Sequence, residues 1–181
     1  MRKTVFTYGL IAGAVLSAMM IATLPFIDRI GFDAGAVIGY TAMVVAFLMI
    51  YFGVRSYRDG VAGGRVTFGR AFLVGLSITA VACLCYVVTW QVVYYGFVPD
   101  FLDKYTAYAV EKARAGGATE AQLAATIEQM AAFAEMYENP LVNIAFTLLE
   151  PLPVGLVFTL VTAGVLSRKR HEPAVATVQE N

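Results

Sequence analysis

One ionisable side chain stands inside an otherwise apolar stretch near the C-terminal end of the sequence. Residues 146–160 read FTLLEPLPVGLVFTL, in which Glu150 is followed by Pro151 and Pro153. A carboxylate within a membrane-like segment is a candidate functional group, because a charge is costly to hold inside a bilayer. Proline lacks the N–H that bonds to the carbonyl four residues back, so the two prolines interrupt a helix. The stretch therefore predicts a helix that begins here, with Glu150 as its N-cap and Pro151 in its first turn.

Two interpretations of Glu150 follow from this pattern. In the first, the last span runs from 151 to about 167, and Glu150 caps it at the outer membrane interface by interacting with the helix dipole. In the second, the helix is kinked and 141–149 also lie in the membrane, so Glu150 lies about 14 Å below residue 141 at 1.5 Å per residue. Glu150, Gln91 and Tyr40 would then form a polar cluster in the outer half of the membrane. Transporters build their binding sites from broken helices in a similar way.

The composition places the chain among membrane proteins and offers no catalytic constellation. Of its 181 residues, 59% are hydrophobic and 14% are charged, against roughly 45–50% and about 25% in soluble domains. Basic and acidic residues number 13 each, which argues against a nucleic-acid partner. Cys83 and Cys85 point to different sides of a helix, and the single histidine, His171, lies in a polar tail. We therefore expect no catalytic, metal-binding or cofactor-binding residues, and a protein that is not an enzyme.

Four apolar runs are long enough to cross a bilayer, which takes about 17–25 helical residues. They cover approximately 5–27, 34–54, 72–98 and 141–166. The apolar part of the first run exceeds the roughly 7–15 residues of a signal peptide, so we expect an uncleaved helix. With the N-terminus inside, nine Lys and Arg residues flank the spans on the inner side and four on the outer side. This bias predicts a multi-pass protein with both termini in the cytoplasm.

Small residues recur at four-residue spacing within the spans. Gly9 and Gly13 form such a pair in the first span, and Gly155 begins another in the last. In lipid, small residues allow helix backbones to approach closely. We assign these three glycines, with Pro151 and Pro153, a structural role, which serves either a tight bundle or a homo-oligomer.

The outer segment 99–140 is long, acidic and helical in pattern. Two helices fit it, broken at Gly116 and Gly117, and the second opens with the capping-box sequence Thr119-Glu-Ala-Gln122. The segment predicts an extracytoplasmic helical hairpin over the outer mouth of the bundle. It either packs on its own membrane domain or offers a docking face to a membrane-protein partner.

The order of these features resembles a bacterial family called domain of unknown function 4199. The resemblance rests on YGLIAG near the N-terminus, VTFGRAFLVGLSIT after the inner loop, and FTLLEPLPVGLVFTLVTAGVLSRKR in the last span. It implies a four-span inner-membrane protein and brings no catalytic residues with it. The predicted architecture is thus an all-α membrane protein with a single domain over 1–170 and a flexible cytoplasmic tail over 171–181.

Two functions are compatible with this architecture. The leading hypothesis is a non-enzymatic membrane protein that acts in interaction, assembly or envelope support through the outer hairpin. The alternative is a small carrier or ion-linked membrane protein that uses Glu150 in the outer-half polar cluster.

Overall fold

The computed structural model describes residues 1–168, and every regular element in that range is helical. The seven α-helices are α1 Arg2–Thr23, α2 Ile27–Gly60, α3 Phe68–Gly96, α4 Phe101–Ala115, α5 Glu120–Tyr137, α6 Pro140–Leu149 and α7 Pro151–Leu166. The all-α fold class is therefore confirmed. The predicted tail over 171–181 lies outside the described residues.

Three helical stretches are long and apolar enough to cross a membrane. They are Arg2–Gly60, Phe68–Gly96 and Pro140–Leu166. Large apolar side chains on these stretches point outward, and Leu84, Val92 and Val161 are each more than half exposed. Apolar surface of this extent is not stable against water, so it indicates a surrounding apolar solvent. The long apolar helices thus indicate a membrane protein.

The first of these stretches is folded back on itself. A short 3₁₀ turn, Leu24–Phe26, separates α1 from α2, and Gly31 then bends the chain with φ 78° and ψ 158°. Residues other than glycine rarely adopt that positive φ. The two helices lie side by side, so that the Tyr8 side chain packs at Gly53.

Helix α3 is the central element of the bundle, because it packs against α1, α2 and α7. A Cβ added at Gly9 would lie 2.7 Å from the Cβ of Val81, and one at Gly13 would lie 2.6 Å from the Cβ of Cys85. A Cβ at Gly155 on α7 would likewise overlap a methyl group of α3. The three glycines that the sequence singled out therefore lie where two helix backbones approach closely.

Helices α4 and α5 form the segment between α3 and α6, and they pack against each other. The predicted break at Gly116 and Gly117 is confirmed, and Gly117 has a φ of 82°. The predicted capping box is also confirmed, since the Thr119 hydroxyl accepts from the Gln122 N–H and the Gln122 side chain accepts from the Thr119 N–H. These local signals fix where α5 begins.

The last stretch is a kinked helix in which α6 runs directly into α7 at Glu150. Pro151 begins α7, as predicted. Glu150 itself keeps helical dihedrals, with φ −79° and ψ −61°. The prediction that its side chain caps α7 is wrong, because no side-chain cap bond forms. Pro151 and Pro153 lack backbone N–H groups, so Leu152 is the only backbone N–H donor among the first three residues of α7.

Candidate functional site

The Glu150 carboxylate points from the kink toward α3 instead of capping its own helix. Its Oε2 accepts a hydrogen bond from the Tyr86 hydroxyl at 2.7 Å. No lysine, arginine or histidine of residues 1–168 forms an ion pair with it. A partly buried carboxylate whose one bonded partner is a hydroxyl retains acceptor capacity for a further donor.

A second polar pair lies one to two turns earlier on the same face of α6. The Gln91 amide donates to Asn143 Oδ1 at 2.7 Å, and the Thr147 hydroxyl donates to the Asn143 carbonyl at 2.8 Å. Asn143 is fully buried, and its Nδ2 has no hydrogen-bond partner among the described residues. The α3–α6 contact is therefore polar, and it holds one unsatisfied donor.

The predicted polar cluster of Glu150, Gln91 and Tyr40 is divided between different partners. Glu150 bonds Tyr86, whereas Gln91 bonds Asn143. Tyr40 is 50% exposed on α2 and forms no hydrogen bond within residues 1–168. The structure thus brings Glu150 and Gln91 onto the same α3–α6 face, in two separate hydrogen-bonded pairs.

Sequence reasoning missed the partners of these residues, although two spacings carry the signal. Asn143, Thr147 and Glu150 follow a 4, 3 spacing, which is one face of a helix. On α3, Tyr86 lies four residues before Trp90, so these two rings share a face as well. The spacings place these residues on one face of each helix, but they do not fix which residues of the two faces meet.

Glu150 and Tyr86 line a cavity of about 610 Å³. Its walls come from the end of α1, the start of α2, the C-terminal part of α3, α4, the end of α5 and the α6–α7 kink. The α2 lining includes the small residues Gly35, Ala36 and Gly39. A Cβ added at Gly39 would meet nothing within 4 Å, whereas one at Gly35 would overlap the Ile27 side chain. Gly39 therefore leaves open space at the cavity, unlike Gly9 and Gly13, which lie against a neighbouring helix.

The rest of the cavity wall is apolar and aromatic. Met19, Met20 and Met43 contribute flexible thioether side chains, which adapt to different shapes. Trp90 also lines the cavity, and its indole N–H donates to the Tyr137 hydroxyl at 3.0 Å. Such a wall, with few polar groups at fixed positions, is typical of small-molecule sites.

Helix α4 covers one end of the cavity and is anchored to the start of α2. Phe32 contacts the rings of Phe101, Tyr105 and Tyr108, with centroids 5.0–5.9 Å apart. Lys112 Nζ lies 2.6 Å from the carboxylate of Asp33, and this hydrogen bond raises the pKa of Lys112. The only ammonium in the cavity lining is thus already paired within residues 1–168.

Potential metal ligands among the described residues do not form a cluster. Among residues 1–168, no three His, Cys, Asp or Glu side chains lie together as metal ligands would. Cys83 and Cys85 are both free thiols, the first buried and the second half-buried. The carboxylate, the aromatic rings and the apolar wall of the cavity are groups that hold a molecule by contact.

Comparison with known proteins identifies a family. No curated protein and no solved structure matches the chain. The family described as "Protein of unknown function (DUF4199)" matches residues 7–168, which is most of the sequence. The chain belongs to this family.

Proposed function

We propose that this protein is a membrane-embedded binding protein or small carrier that takes a small molecule into the cavity beside Glu150. The observation that supports it best is the cavity of about 610 Å³ with a carboxylate in its wall. Ligand sites have volumes of roughly 300–1,000 Å³ and combine apolar walls with a few polar groups. The protein acts by binding, without chemistry of its own.

The proposed setting is a four-span protein of the bacterial inner membrane, with both termini in the cytoplasm. α1, α2 and α3 have 22, 34 and 29 residues, and α6 and α7 together cover 27 residues. At 1.5 Å per residue each exceeds about 30 Å, the thickness of the hydrocarbon core. The nine-to-four excess of inner Lys and Arg residues supports the orientation. The cavity and α4–α5 then belong to the outer side.

The structure favours the carrier alternative over the assembly hypothesis. Three aromatic rings of α4 contact Phe32 of its own chain, which supports packing of α4 on its own membrane domain. α5 leaves Ile127 and Met136 exposed, which supports a docking role as the second candidate. If replacing Ile127 and Met136 with serine abolishes the function of the protein while the cavity stays intact, the docking role is favoured.

Trp90 provides a direct test, because it is the only tryptophan in the chain and it lines the cavity. The purified protein in nanodiscs is titrated with an uncharged alkyl nitroxide, which quenches indole fluorescence on contact. We expect saturable quenching in the native protein. Gly39→Leu fills open space in the cavity and should abolish the saturable part.

Gly164→Leu is the matched control for that substitution. Gly164 is also a helical glycine with nothing within 4 Å of an added Cβ, and it does not line the cavity. The fluorescence of Trp90 in this variant should be quenched by the probe as it is in the native protein. If quenching is linear, unsaturable and equal in all three proteins, with this probe and also with cationic and anionic probes of the same alkyl chain, the probes reach Trp90 only through lipid and the proposal fails.

A further inference from the structure

The charges in the cavity wall do not balance. Its charged side chains are Asp33, Lys112 and Glu150, which are two carboxylates and one ammonium. Lys112 is bonded to Asp33 at 2.6 Å, and the Tyr108 hydroxyl also donates to Asp33 at 2.6 Å. Glu150 is left as the one wall charge without an opposite charge among the described residues.

An anionic ligand fits this wall poorly. It would need a cation, and the only one that the described residues bring to the wall already neutralises Asp33. Separating that pair would leave Asp33 uncompensated, and like charges in one cavity repel. A negative group would also come close to Glu150. The electrostatics therefore disfavour carboxylates, sulfonates and phosphates.

A cationic group fits, because it meets both a carboxylate and aromatic rings. Tyr86, Trp90 and Tyr137 line the cavity together with Glu150. Aromatic faces attract ammonium groups, most strongly where water is excluded. The thioether and aliphatic side chains of Met19, Met20 and Met43 would then contact an apolar body.

The geometry points to a lipophilic organic cation as the ligand of this cavity, a molecule with one amine or quaternary ammonium group on an apolar body. This inference rests on the proposed function and adds its ligand class. The ammonium group lies against Glu150 and the neighbouring rings, and the apolar body lies along the methionines of α1 and α2. The bound cation completes the charge balance of the wall.

The test uses three nitroxide probes that share one alkyl chain and differ in the head group: trimethylammonium, hydroxyl and sulfonate. Each is titrated against Trp90 fluorescence in nanodiscs of uncharged lipid, which removes surface attraction of the cation. A charge-assisted contact predicts that the cation binds about tenfold or more tightly than the alcohol. The sulfonate should bind most weakly.

Three variants assign the preference to Glu150. Glu150→Gln keeps an acceptor for Tyr86 but removes the charge, so the cation and the alcohol should bind alike. Glu150→Asp keeps the charge and should retain the preference. Glu138→Gln removes a carboxylate that does not line the cavity, and it should behave as the native protein does.

The outcomes separate this inference from the function on which it rests. If none of the three probes quenches saturably, the cavity is not a binding site and the proposed function fails. If all three bind saturably without preference, or the alcohol or sulfonate binds best, the site stands and the cationic ligand class is wrong. A cation preference that persists in Glu150→Gln would also overturn the inference.

Discussion

At the scale of single residues, the hydrogen bonds across helices decide which polar side chains meet. The rise along a helix predicted that Glu150, Gln91 and Tyr40 lie at similar depths. Depth alone does not fix contacts, and the structure pairs Glu150 with Tyr86 and Gln91 with Asn143. The residue type of Glu150 and the prolines after it were enough to single it out in the sequence. Its partner was not predictable, because that pairing depends on how α6 and α3 are rotated against each other.

The Trp90–Tyr137 bond gives a residue-scale prediction. Both side chains are more than nine-tenths buried, and the indole N–H donates to the tyrosine hydroxyl. Tyr137→Phe removes the acceptor and leaves a buried donor unsatisfied, which costs about 1–3 kcal/mol. We expect that loss in the free energy of unfolding measured by denaturant titration in detergent.

Tyr95→Phe is the control for this change, because Tyr95 is half exposed and forms no hydrogen bond within residues 1–168. Its stability should match that of the native protein. Equal stability of the two variants would show that the Trp90–Tyr137 bond does not contribute to the fold.

At the scale of helices, small residues at four-residue spacing have two different structural roles, which are close helix packing and space for a cavity. Gly155 brings α7 against Thr79 of α3, whereas Gly39 leaves space for the cavity. The four-residue spacing predicted close helix packing in every span. It could not distinguish packing from a cavity, since both require the absence of a side chain and differ only in what lies opposite. By contrast, the start of α5 was predictable, because the capping box is a local signal.

The packing of α3 on α7 predicts opposite effects of one substitution at two positions. Gly155→Ala places a methyl group into the Thr79 side chain, and such overpacking costs about 1–3 kcal/mol. Gly164→Ala meets nothing within 4 Å and gains helix propensity, up to about 1 kcal/mol. Thermal unfolding in detergent measures both, and a tolerated alanine at Gly155 would contradict the close contact.

The anchoring of α4 can be assigned by comparing its aromatic and ionic contacts. Phe32 contacts three rings of α4, whereas the Lys104–Asp28 and Lys112–Asp33 pairs are exposed to water, which weakens them. Phe32→Ala should therefore increase hydrogen exchange along α4 strongly. Lys104→Met and Lys112→Met together should change it little. The reverse order would mean that the ion pairs hold α4 in place.

At the scale of the whole molecule, the apolar surface and the charge distribution place the protein in a membrane. The outward leucines and valines need lipid around them, and this much was predictable from composition and length. The folding back of α1 on α2 within one long helical stretch was also expected from two separate apolar runs. The cavity was not predictable, because it arises where α1, α2, α3, α4 and the α6–α7 kink leave space between them, and no single segment encodes it.

The proposed topology predicts which loops are accessible from outside. Ala121→Cys, at an exposed position near the start of α5, should react with a membrane-impermeant maleimide on intact cells. Val61→Cys, exposed just after α2, should react only after the cells are permeabilised. Cys83 and Cys85 lie within α3 and should not react in the parent protein. Labelling of Val61→Cys on intact cells would contradict the orientation.

The central claim is that the cavity beside Glu150 is a binding site, and competitive photolabelling tests it most directly. The protein in nanodiscs is irradiated with an alkylammonium diazirine, with and without an excess of the same amine lacking the diazirine, and labelled residues are mapped by mass spectrometry. We predict that the excess amine suppresses labelling at cavity residues, with Glu150 and Met43 foremost, and leaves labelling of lipid-facing residues such as Val161 unchanged. Labelling spread over the lipid-facing surface, with no suppression at Glu150 or Met43, would contradict the account.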